Sequence, residues 1–160
     1  MIWEPKLDGY DHINIYSKSS SKLGRALSNF TKSTFEHPDY GVFNSIEGFY
    51  FWLLTGEKHN QLKYLFGYEA KKFGQMQEKT WMVTKEFKEE IMYGIYLKIL
   101  QHPYVQEMLI ESTLPFAHYY YYGDMNGKPK VYDRAKQDHY MIDACELIRV
   151  KLKEHGKIIM

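Results

Sequence analysis

The sequence predicts an α+β fold: a single, mostly helical domain spanning residues 1–160, with a few short strands. Three observations carry this. Phe87, Ile91, Ile95 and Ile99 recur every four residues beside Met92, Tyr96 and Leu100, which marks a long amphipathic helix from Thr84 to Gln101. A second long helix runs from near Asp133 to Glu154 on a stripe of Met141, Ala144, Cys145, Ile148 and Leu152, and Gly156 stops it. Between them, within Leu114 to Gly123, the aromatic run Tyr119 to Tyr122 opens into Gly123-Asp124-Met125-Asn126-Gly127, the pattern of a strand entering a glycine loop. A chain of 160 residues is long enough to bury a core without disulfides or structural metal.

The remaining elements follow in order. Ile13 and Ile15 alternate with polar neighbours as in a half-buried strand, and Ser17 to Ser21 form a polar loop. His37-Pro38-Asp39-Tyr40-Gly41 reads as a turn. Ser45 is placed to cap a helix from Ile46 to about Thr55, which Gly56 ends. Leu62 to Phe73 is a further helical segment, weakened by Gly67. Thr84 caps the long helix, Glu89 and Glu90 lie toward its positive end, and His102-Pro103 terminates it. Tyr104 to Glu111 forms a short helix after that break.

Composition narrows the functions. Net charge is +1, from 21 Lys and Arg against 20 Asp and Glu, which argues against holding long nucleic acid by charge alone. Reading one nucleotide in a pocket is still compatible with that balance. Fifteen Tyr, nine Phe and three Trp supply packing area and also flat faces for stacking on nucleobases. Cys145 is the only cysteine, so no intrachain disulfide forms, which fits a reducing compartment. Met1 to Tyr10 carries Glu4 and Asp8 and does not read as a signal peptide, and no apolar run approaches a membrane span. A soluble, cytoplasmic protein with no membrane partner is expected. The seven histidines are scattered, with no i, i+4 zinc pair, and no metal site is expected. Phosphate-loop and dinucleotide glycine patterns are absent.

Three clusters have residue types suited to chemistry. In Gly24-Arg25-Ala26-Leu27-Ser28-Asn29-Phe30, the glycine permits close backbone approach, Arg25 suits a phosphate, and Ser28 and Asn29 suit a ribose or phosphate. A polar turn before a core Phe explains the same residues. In Ser45-Ile46-Glu47-Gly48-Phe49-Tyr50, Glu47 stands among apolar residues at a helix start, where a carboxylate either caps the helix or does acid–base work. The loop Tyr122-Gly123-Asp124-Met125-Asn126-Gly127-Lys128 offers backbone N–H groups to an anion and one carboxylate to a reacting centre, or is a plain β-turn.

Taken together, and in this order, the segments resemble the NADAR (YbiA-like) family from about Ile13 to Leu152, closest to the form carried by T-even-type bacteriophages. The matching pieces are Gly24 to Phe30, Ser45 to Tyr50, Lys88 to Met92, the turn Gln101-His102-Pro103, the stretch Met108 to Thr113, and Tyr121-Tyr122-Gly123-Asp124. The chain departs from the family pattern at Gly48, where the family has His, and at Tyr122, where it has Trp. Lys128-Pro129-Lys130-Val131 replaces the family's glycine-lysine run.

The resemblance implies a YbiA-like fold and a hydrolase of N-glycosidic bonds in ADP-ribose-related molecules. Removal of ADP-ribose from guanine in nucleic acid is one such reaction. Glu47 would be the main catalytic carboxylate and Asp124 would assist. Gly24, Arg25, Ser28, Asn29 and Phe30 would position ribose and phosphate. Lys85 or Lys88 would hold phosphate, and Trp81, Tyr122 and Gly123 would form the base side of the pocket. No cofactor is required by this chemistry. The substrate partner would be an ADP-ribose-type nucleotide or an ADP-ribosylated base, with nucleic acid as a carrier and the host cytoplasm as the compartment for a phage protein. Competing expectations are a binding module that holds ADP-ribose without turnover, an N-glycosidase for phosphorylated ribosylamino-pyrimidines, and a structural or host-interaction protein.

Overall fold

The computed structural model describes residues 3–123 and 127–158. The order of elements is β1 (Ile13–Asn14), α1 (Lys22–Leu27), β2 (Phe35–His37), β3 (Gly41–Phe43), α2 (Ile46–Leu54), α3 (Gly67–Gln75), α4 (Lys85–Leu100), α5 (Pro103–Glu111), β4 (Phe116–Ala117), β5 (Tyr119–Tyr122), β6 (Lys130–Asp133) and α6 (Ala135–His155). The fold is α+β and mostly helical, with three two-stranded sheets among the described residues. The chain divides into two compact units: one joins the residues up to Ser28 to Tyr104–Ile158, and the other is formed by Asn29–Pro103.

In the first unit, β1 pairs in parallel with β4, Ile13 opposite Phe116 and Asn14 opposite Ala117. The alternation of Ile13 and Ile15 predicts a half-buried strand, but Ile13, Asn14 and Ile15 are all buried. Asn14 tolerates this because its side chain replaces a ladder partner. Its Oδ1 accepts from the Tyr119 N–H at 3.0 Å and its Nδ2 donates to the Tyr119 carbonyl at 3.0 Å. Every polar group of that buried amide pair is thereby answered. Helix α1 lies on β1 through Gly24, where a β-carbon would stand 2.1 Å from the Asn14 carbonyl oxygen. Helix α6 covers β4 with the predicted stripe of Met141, Ala144, Cys145, Ile148 and Leu152, all buried. It is kinked at Asp138 (φ −117°, ψ 27°) and ends at Gly156. Strands β5 and β6 form an antiparallel ribbon from Tyr119↔Asp133 to Tyr122↔Lys130.

The second unit is built around α2. Strands β2 and β3 flank the predicted turn as a hairpin, with Phe35 opposite Phe43 and His37 opposite Gly41. Phe49 of α2 meets Phe43 at 5.0 Å and Phe35 at 5.8 Å between ring centroids. Helices α3 and α4 approach α2 at glycines, Gly74 against Phe51 and Gly94 against Phe49. Helix α4 follows its predicted bounds within a residue, with the Thr84 hydroxyl accepting from the Phe87 N–H at 3.3 Å. The helix expected over Leu62 to Phe73 is interrupted: a 3₁₀ turn covers Asn60–Lys63, and α3 begins at Gly67, whose φ of +60° glycine adopts without steric cost.

The Gln101-His102-Pro103 turn has a mechanical role in this unit. Gln101 brackets Glu36 of β2, accepting from its N–H at 2.7 Å and donating to its carbonyl at 2.9 Å. His102 Nε2 hydrogen-bonds the Thr34 carbonyl at 2.7 Å. Two side chains after α4 thus complete the open edge of a three-residue strand. No helix among the described residues is long and apolar enough to cross a membrane.

Candidate active site

In the second unit, Ser45 caps α2 as expected: its hydroxyl accepts from the Gly48 N–H at 3.0 Å and donates to the Leu65 carbonyl at 2.9 Å. Glu47, half-buried, sits in the first turn, where a negative charge faces the positive end of the helix dipole. Its N–H lacks an intrahelical partner at that position and donates instead to the Asn29 carbonyl at 3.0 Å. Asn29 and Glu47, drawn from separate sequence clusters, are therefore held side by side. The next residue, Phe30, is fixed in turn by its carbonyl accepting from the Gly67 N–H at 2.8 Å.

One helical turn after Glu47, Tyr50 continues the surface. Its ring meets Phe87 at 5.1 Å, and Phe87 meets Trp81 at 5.2 Å, both edge-on. Trp81 is anchored through its own N–H to the Leu54 carbonyl. Lys85 and Lys88 stand one turn apart at the start of α4, Lys85 exposed and Lys88 half-buried. Glu47, the half-buried rings of Tyr50 and Trp81 on either side of the buried Phe87, and two amines thus occur within one unit on α2, α4 and the segment preceding α4.

Gly48 stands where a side chain has no room. A β-carbon there would lie 2.3 Å from the Leu62 carbonyl oxygen and 3.2 Å from that of Leu65. The backbone of the 3₁₀ turn therefore occupies the space where a side chain would begin.

In the first unit, the backbone donors of Gly24 and Arg25 are used within α1, on the Ser21 hydroxyl and carbonyl. The Arg25 guanidinium donates to the Ser19 carbonyl at 2.7 Å, and Ser28 is buried. Tyr122, 61% exposed, ends β5 and meets Tyr132 edge-on at 5.5 Å. Gly123 follows with φ +101°. Asp124 lies outside the described residues. A cleft of about 530 Å³ in this unit is lined by residues including Asp8, Tyr10, Ser20 and Glu111, none of them a site residue expected from the sequence.

Two histidine environments were not legible in the sequence. His12 is fully buried under Trp3, its Nδ1 at 2.5 Å from Asp11 Oδ1 and its Nε2 at 2.6 Å from the Tyr119 hydroxyl. Burial, with the charge of Asp8, pushes the Tyr119 phenol well up, so its hydroxyl keeps its proton. His37 accepts from the Asp39 N–H on Nδ1 at 3.1 Å, which places the proton of the neutral ring on Nε2. That Nε2 is buried without a hydrogen-bond partner, among Tyr40, Phe49 and Tyr93. Burial lowers the His37 pKa, against the opposing charges of Asp39 and Glu90.

Among the described residues no three His, Cys, Asp or Glu side chains gather as a metal site requires. No family model, curated protein or solved structure matches the chain.

Proposed function

We propose that the chain is an N-glycosidase acting on ADP-ribose-related molecules, including ADP-ribose attached to guanine. The observation that carries this is the placement of Glu47: a half-buried residue at a capped helix start, its backbone N–H tied to the Asn29 carbonyl, with the half-buried rings of Tyr50 and Trp81 packed on the buried Phe87 in the same unit. The resemblance to NADAR proteins supplies the reaction class. Breaking a glycosyl C–N bond builds positive charge on the sugar ring and its anomeric carbon. A carboxylate beside that carbon stabilises the charge and orients the attacking water. Aromatic faces hold the departing base, and the Lys85 and Lys88 amines suit phosphate oxygens.

A second reading, a module that binds the nucleotide without turnover, is favoured by Gly48, since the histidine of the family pattern is missing and its space is filled. Chromatography of ADP-ribosylated guanosine after incubation separates the two readings. Guanosine released by the wild type and not by a folded Glu47→Gln protein supports the enzyme. Nucleotide bound and recovered intact supports the module. Full activity in Glu47→Gln would remove Glu47 from the mechanism.

A further inference from the structure

The first unit holds a cleft of about 530 Å³ that the glycosidase reading does not use. It opens between the chain from Asp8 to Leu23 and the segment from Met108 to Leu114. Its apolar lining is Ile13, Leu23, Met108 and Leu114, of which Ile13 and Leu23 are buried. Two charged side chains line it, Asp8 and Glu111, and both are anions. A volume of this size suits a small molecule, and the lining offers an apolar seat beside negative charge.

Asp8 is the unusual member. It is 3% exposed, and a buried carboxylate is normally matched by a cation. Here the fold matches it with hydrogen bonds alone. Its Oδ1 accepts from the Asn14 N–H at 3.0 Å, and its Oδ2 accepts from the Ser19 hydroxyl at 2.5 Å and the Ser20 N–H at 3.0 Å. These donors fix the carboxylate in place and leave its charge without a counter-ion, for among the described residues Asp8 makes no ion pair. Glu111, exposed at the end of α5, makes none either. Arg149 and Lys153 of α6 reach the same segment, but they donate to the Ser112 hydroxyl and to the Leu114 and Ser112 carbonyls and do not line the cleft. Lys22, exposed on α1, does not line it. Gly9, with φ +94°, turns the chain after Asp8, and Tyr10 stands 79% exposed at the same cleft. A ring face beside two carboxylates without counter-ions is a third group that attracts a cation.

We propose that this cleft binds an organic ammonium, a protonated primary amine carried on an apolar body. The Asp8 and Glu111 carboxylates and the Tyr10 ring meet the positive charge, and the body covers Ile13, Leu23, Met108 and Leu114. The flexible thioether of Met108 adapts to bodies of different shape. A nucleotide phosphate is the wrong occupant, because both charges in the lining repel it. The proposal stands apart from the glycosidase reading: Glu47 belongs to the other unit, and the two ligands differ in the sign of their charge.

The test is a titration of the isotope-labelled full chain with phenethylamine, followed by amide nitrogen–proton NMR spectra. 2-Phenylethanol, a neutral molecule of the same shape, is titrated in parallel. The amine should shift the amide resonances of Ser20, Ser21, Glu111 and Ser112 with a Kd of about 1 mM, as suits so small a probe. The alcohol should bind at least ~10-fold more weakly. Glu111→Gln removes one charge from an exposed side chain and should weaken amine binding about 3-fold. Asp8→Asn keeps an acceptor for the Asn14 N–H and gains a donor toward the Ser19 hydroxyl, while water serves the exposed Ser20. It should weaken amine binding at least ~10-fold. If Asp8→Asn does not fold, Glu111→Gln decides alone. No shift of these resonances at about 10 mM amine overturns the proposal. So does an alcohol that binds as tightly as the amine, or folded variants that bind the amine like the wild type.

Discussion

The α-carbon of Gly48 faces the carbonyl oxygen of Leu62 so closely that a β-carbon at position 48 would sit 2.3 Å from it. Helix α2 and the 3₁₀ turn over Asn60–Lys63 are in contact backbone to backbone, directly beside Glu47. Gly48→Ala should therefore destabilise the protein by about 1–3 kcal/mol, as overpacking does. Gly48→His, which places a larger side chain at the same point, should do no better. Urea denaturation measures both; an unchanged midpoint for Gly48→Ala would mean that the turn yields freely.

Asn14 and Gln101 bracket a backbone residue in the same way, yet their replacement should differ. Asn14 is fully buried, so Asn14→Leu strands both polar groups of Tyr119 away from water. The expected loss is about 2–4 kcal/mol. Glu36, the partner of Gln101, is exposed and water can replace the amide, so Gln101→Leu should cost under about 1 kcal/mol. Equal losses in chemical denaturation would contradict the burial argument.

His37 predicts a pH dependence. Its folded pKa lies below the ordinary 6.5, so the unfolded chain takes up a proton first as pH falls. Stability should be constant above about pH 7 and decline as pH drops through 6.5, levelling once the folded ring also protonates. Asn at position 37 keeps an acceptor for the Asp39 N–H and lacks the titrating ring. Denaturation midpoints across pH 5 to 7.5 should lose that part of their slope in His37→Asn.

Asp138 acts in the opposite range. Burial raises its carboxyl, but hydrogen bonding and charge from His118, together with Arg134, outweigh burial and hold its pKa below 3.8. Its contribution is complete above the unfolded value and disappears as pH falls through the lower folded value. Asp138→Asn should cost roughly 1 kcal/mol at neutral pH and converge on the wild type in strong acid. A constant difference at every pH would assign the loss to the kink in α6 rather than to charge.

The sequence was most legible where one helix face repeats. The stripes of α4 and α6, the Ser45 and Thr84 caps and the stops at Gly56 and Gly156 all follow from local chemistry. Strands β2, β3 and β6 were not expected, because three or four residues carry too little alternation and their partners are set by tertiary contacts. Asn14 shows the same limit: an asparagine between isoleucines reads as a solvent-facing position until Tyr119 is placed beside it. In the candidate site, Glu47 at a capped helix start was readable from Ser45 onward, whereas its tie to Asn29 depends on how the chain between them folds. The steric reason for Gly48 and the unpartnered Nε2 of His37 exist only in three dimensions.

The parallel pairing of β1 with β4 joins segments that flank the whole of Asn29–Pro103. A ribosome delivers β1 first and must then release the entire second unit before β4 exists. The intervening unit, continuous in sequence and rich in short-range helical contacts, is in a position to fold while synthesis proceeds. Once compact, it shortens the effective tether between β1 and β4 and lowers the entropy lost when they meet. The connectivity thus leaves the inserted unit free to form before the outer one, whose β1–β4 pair needs both ends of the chain.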